Sequence, residues 1–133
     1  MAEQSLDFWP DLATARPQVT PLSLMKQQAA LLGKHTSNLL EGEVSSNLSY
    51  GRLVHSFRIH VPTLDYSYEV FRVSHEMLAM YPVRIDGGPH KQQYPRGAPT
   101  LDSEDAFQDW LKSVLSSDET KRVLGSLLAQ IEA

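Results

Sequence analysis

Cysteine is absent from the 133 residues, which removes disulfides, thiol nucleophiles and thiolate metal ligands in one stroke. Long apolar runs are absent too: none comes near the roughly 20 residues that cross a bilayer, so no membrane partner is expected. Met1 to Pro10 carries Glu3 and Asp7 where a secretory leader would have a basic start and an apolar middle, and the expected address is cytoplasmic. Catalytic signatures are missing as well. Gly87 and Gly88 are not followed by Gly-Lys-Ser or Gly-Lys-Thr, and no Gly-x-Ser-x-Gly elbow occurs. His75 and Glu76 open a zinc-protease helix motif that fails at once, because position 79 is Ala where its second histidine belongs. No catalytic residue, no metal and no cofactor are therefore assigned.

Charge of one sign is also scarce. The net charge is −4, split as about −2 over residues 1–49, +2 over 50–101 and −4 over 102–133 by the same residue count. A field this weak argues against nucleic acid as a partner, although Arg52, Arg58, Arg84, Lys91, Arg96 and Tyr94 lie in the basic middle.

What is present is an order of patterns. Residues 1–19, with Phe8 and Trp9 among polar neighbours, read as an N-terminal arm ahead of a single domain over 20–133. Thr20 and Pro21 start a helix whose buried stripe includes Met25, Ala29 and Leu32, and Gly42 reads as its left-handed stop. Glu43 to Leu48 is an ambiguous strand and Ser49 to Gly51 a turn. Then Leu53 to Val61 alternates, with Leu53, His55, Phe57, Ile59 and Val61 on one face.

Tyr66 to His75 returns after a turn at Thr63 to Asp65, and Tyr81 to Ile85 gives a further strand, with Pro82 at an edge or turned outward. Two C-terminal helices follow, one capped at Asp102 or Ser103 and one started by Ser117. The expected class is α+β: an N-terminal helix, an antiparallel meander of three to four strands and two C-terminal helices. The segment from Gly87 to Thr100 is long enough to be a functional loop.

Pairing Val61 with Tyr66 sets Ile59 against Tyr68, Arg58 against Glu69 and Phe57 against Val70. That register places Phe71 and Val73 with Val54 on the outer face, an apolar patch of the kind that marks an interface. It also sets His55 beside Arg72. The expectation that follows is a non-enzymatic protein–protein interaction module, with a layout common among adaptors, chaperones and immunity-type proteins. It would bind another protein or a second copy of itself as a homodimer, through Val54, Phe71 and Val73 and an anchor at Phe8 and Trp9. The alternative is a small-ligand protein or small enzyme with an anion pocket at His55 and Arg72.

Overall fold

Helices over one face of a five-stranded antiparallel meander make up the computed structural model, which describes residues 6–17, 19–88 and 99–132. A short α1 (Leu12–Ala15) lies in the N-terminal arm, and α2 (Pro21–His35) begins the domain. Four strands follow, β1 (Glu41–Ser49), β2 (Arg52–Val61), β3 (Tyr66–Glu76) and β4 (Ala79–Gly87). The two-residue β5 (Thr100–Leu101) completes the sheet before α3 (Glu104–Leu115) and α4 (Asp118–Glu132). The sheet order is the chain order, so every neighbour is joined by a local connection. Among the described residues no helix is long and apolar enough to cross a membrane.

Local chemistry sets the boundaries. Thr20 accepts from the Ser23 amide while Ser23 Oγ accepts from the Thr20 amide, a reciprocal cap with Pro21 in the first helical position. The helix ends earlier than Gly42 suggested. Thr36 turns its Oγ1 back onto the Leu32 carbonyl and accepts from the Leu40 amide, and Ser37 and Asn38 take positive φ. Gly42 instead lies in β1, where a Cβ would collide with the Ala29 backbone: it is small so that helix and strand can touch. Tyr50 and Gly51, both at positive φ, turn β1 into β2, the backbone a tight hairpin needs. Ser103 caps α3 by accepting from the Ala106 amide.

The expected helix, meander and two closing helices are all present, with one more strand than the meander was given. The ambiguous Glu43 to Leu48 segment is a full strand, paired from Glu41↔His60 to Ser49↔Arg52. Pro82 is exposed, outside the residues β5 pairs with. Of the long Gly87 to Thr100 segment, residues 89–98 lie outside the described residues.

Register is where the structure departs from expectation. Val61↔Tyr66, Ile59↔Tyr68 and Arg58↔Glu69 are formed, but a bulge between Phe57 and Arg58 makes Phe57 face Phe71 instead of Val70. Every later residue of β3 thereby changes face. Phe71 and Val73 are fully buried under the helices and do not form an outer patch. Phe71 stacks on Phe57 with ring centroids 5.3 Å apart and meets Trp110 of α3 edge-on at 4.9 Å. The bulge gains burial for Val70, Phe71 and Val73 together at the cost of one ladder position.

Candidate functional site

The same bulge separates His55 from Arg72. His55 is fully buried opposite Val73 on the inner face, whereas Arg72 lies opposite Ser56 on the outer face. The shared anion pocket expected of them therefore does not form, because side chains of opposite parity leave a strand on opposite sides. Of the proposed interaction residues, Val54 alone of the sheet trio stays outside, half-buried, while Phe8 and Trp9 are 88% and 80% exposed.

Inside, His55 finds a partner the sequence reading did not assign. Its Nε2 lies 3.0 Å from Nε2 of His75, its Nδ1 lies 2.7 Å from Oγ of Ser46, and His75 Nδ1 lies 2.8 Å from the Glu76 carbonyl. With both rings neutral, one proton arrangement satisfies all three contacts. The carbonyl only accepts, so His75 Nδ1 donates to it; His75 Nε2 then accepts from His55 Nε2, and His55 Nδ1 accepts from the Ser46 hydroxyl. Burial, reinforced by His75 and then by Lys26, lowers the His55 pKa from 6.5 to about 4.

A serine held by a histidine that is held by a second histidine has the outline of a nucleophile and base. The electrostatics oppose that use, since the base would have to store its proton as a buried cation facing His75 and Lys26. The arrangement serves as a polar clasp joining β1, β2 and β3.

The outer face has the richer chemistry for recognition. Arg52, Arg58, Arg72 and Arg84 surround a depression of about 510 Å³ whose other walls are Asn47, Ser49, Tyr50, Val54, Ser56 and Asp86. All ten come from strands β1 to β4 or the first hairpin turn, so the sheet alone builds the surface. Four guanidinium groups and one carboxylate line it, while Glu43, Glu69 and Glu76 stand opposite Arg58 and Arg52 in the strand register, outside the lining. Arg52 is pinned by Ser74, with Nε 3.1 Å from Oγ and a second nitrogen 3.2 Å from the carbonyl. Arg84 pairs with Asp86, and Arg72 reaches Glu69 at only 3.9 Å. Arg58 has Ser45 Oγ at 3.5 Å and no carboxylate within ion-pair distance among the described residues.

Apolar tips border this depression. Tyr50, in the β1–β2 turn, is wholly exposed, and Leu78, in the β3–β4 turn, is equally so, with Met77 at 52%. Arg52↔Glu76 pairing brings the two turns to one end of the sheet. The sequence signal for the site was that Arg52 and Arg58 share the face of their strand opposite to Phe57 and Ile59, and Arg84 the face opposite to Val83 and Ile85; Arg72 joins them only through the bulge, which also brings His75 to His55.

Comparison of the chain with family models, with curated proteins and with solved structures gives no match.

Proposed function

We propose that this chain is a non-enzymatic binding module whose outer sheet face takes an acidic segment of another protein. The observation that carries the reading is the depression walled by four arginines and one aspartate. Guanidinium forks bind carboxylates bidentately, and Arg52, fixed in place by Ser74, is oriented before a partner arrives. The exposed Tyr50, Leu78 and Met77 at one end supply apolar contact area next to the charges, the combination from which interface hot spots are built. Phe8 and Trp9 are a second set of anchors of the same chemical kind, carried on the arm.

Two features favour a protein over a nucleic acid on this face. Among the described residues Tyr50 is the one aromatic in its wall, whereas single-strand binders stack successive bases on several rings. The net charge of −4 repels an extended polyphosphate, while a short acidic segment meets mainly the local arginines.

The test is fluorescence anisotropy with a labelled Glu/Asp-rich decapeptide containing one leucine and one phenylalanine, run beside an oligothymidylate of equal length and anionic vesicles. The peptide is expected to bind, to weaken as salt rises, and to lose about tenfold or more of its affinity in Arg58→Glu/Arg84→Glu. Equal peptide binding by that variant, or preference for the oligonucleotide or the vesicles, defeats the proposal.

A further inference from the structure

A second cavity, on the other side of the sheet, is different in kind. It opens between α2 and α4, encloses about 310 Å³, and has core residues for its floor: Phe57, Ile59 and Val70, each at most 2% exposed. Leu32, Leu124 and Leu128 form its walls and Leu31, 41% exposed, stands among the residues that line it. The two threonines of the lining are already engaged. Thr36 Oγ1 donates to the Leu32 carbonyl and Thr120 Oγ1 to the Val114 carbonyl, so neither offers a free hydroxyl proton to a ligand. The remaining polar groups are Gln28 and His35, both on α2, with no hydrogen bond among the described residues. Lys34 and His35 occupy the last turn of that helix.

An apolar chamber with its unengaged polar groups on one helix selects an amphiphile with a polar head and a greasy tail. The side facing that head carries an amide and an imidazole, both able to donate a hydrogen bond to an anion. We propose that this cavity binds a medium-chain carboxylate, with the tail over Phe57, Ile59 and Val70 and the head at Gln28 and His35. Taking ~30 Å³ per water-sized unit, the space holds about eight to ten chain carbons. Longer acids would leave carbons outside.

Titration calorimetry of the full chain with decanoate, below its aggregation concentration, tests the assignment, with decanol and decyltrimethylammonium as controls. One decanoate per chain is expected, with decanol weaker and the cation weaker still. Leu124→Trp, which fills the chamber, is expected to abolish binding while its circular dichroism stays that of wild type. Leu31→Trp, substituted at an exposed position of the lining, is expected to weaken binding by about tenfold and serves where Leu124→Trp fails to fold. Absence of decanoate binding by the wild type, binding undiminished in a folded filled variant, or a cation bound as tightly as the carboxylate each overturns the proposal. The Arg58→Glu/Arg84→Glu variant keeps its decanoate binding, so this result is read separately from that of the outer face.

Discussion

Phe71, Arg72 and Val73 are consecutive residues of one strand, and the two faces they belong to are built by different rules. Phe71 and Val73 are sealed among Phe57, Trp110 and the helices, where shape decides the energy. Arg72 leaves the opposite side with its side chain 40% exposed, in an array whose one close ion pair among the described residues is the local one between Arg84 and Asp86. The inner face closes over nearly all its groups, including its two histidines. The outer face lines its depression with four arginines and one aspartate, and Glu43, Glu69 and Glu76, which share the register, stand outside that lining and leave Arg58 without an ion pair among the described residues.

The largest break in this contrast comes from hollowing the inner face. Phe71→Ala removes a ring in contact with both Phe57 and Trp110 and is expected to cost about 3–5 kcal/mol, the range for a large aromatic in a rigid core. Urea denaturation followed by tryptophan fluorescence reads it, and Trp110 reports on the lost contact directly. A loss below about 1 kcal/mol would place Phe71 outside the core, in a scale where most core truncations exceed that value.

The polar part of the inner face gives the next effect. Unfolded His55 binds a proton near pH 6.5 and folded His55 only near 4. Acidification through that window therefore draws protons onto the unfolded chain and lowers stability. His55 contributes fully above about pH 6.5, and its contribution of about 3 kcal/mol is gone below about pH 4. His55→Gln, whose amide can still accept from Ser46 and donate to His75, removes this proton linkage. The expected result is a visibly flatter dependence of stability on pH between 7 and 4.5, measured by urea titration at each pH. Parallel curves for wild type and variant would show that His55 is not held neutral.

How much of the contrast was legible in sequence follows from these residues. The alternation Leu53 to Val61 put His55, Phe57, Ile59 and Val61 on one face, and three of the four hairpin pairs expected from the turn are formed. The fourth failed because Arg58↔Glu69 is equally satisfied with or without an extra residue beyond it; nothing in the local pattern of Val70 and Phe71 says that two apolar residues oppose one. From that bulge onward the face assignments of Phe71, Arg72 and Val73 were inverted, which hid both the arginine array and the histidine clasp. Gly42 was misread for a related reason. A glycine after a helical stripe suits a left-handed stop, but here the demand came from Ala29 across the interface, a contact invisible to a local pattern.

Arg72→Ala is the smallest expected change in stability and the sharpest statement of the contrast. Its one ionic neighbour, Glu69, is 3.9 Å away with both side chains substantially exposed, a pair worth about 0–1 kcal/mol. Its removal also relieves repulsion within the arginine array, since Arg52, Arg58 and Arg84 line the same depression. These two terms oppose each other, so the midpoint of urea unfolding is expected to move by no more than about 0.5 kcal/mol equivalent. Binding of the acidic peptide has no such compensation: the guanidinium group is lost to the ligand while the repulsion it caused was already part of the free protein. Weaker peptide binding at unchanged stability would separate Arg72 from Phe71 and Val73 on either side of it. A loss of stability as large as that of Phe71→Ala would mean that the outer array is part of what holds the sheet together, and the division of labour between the faces would fall.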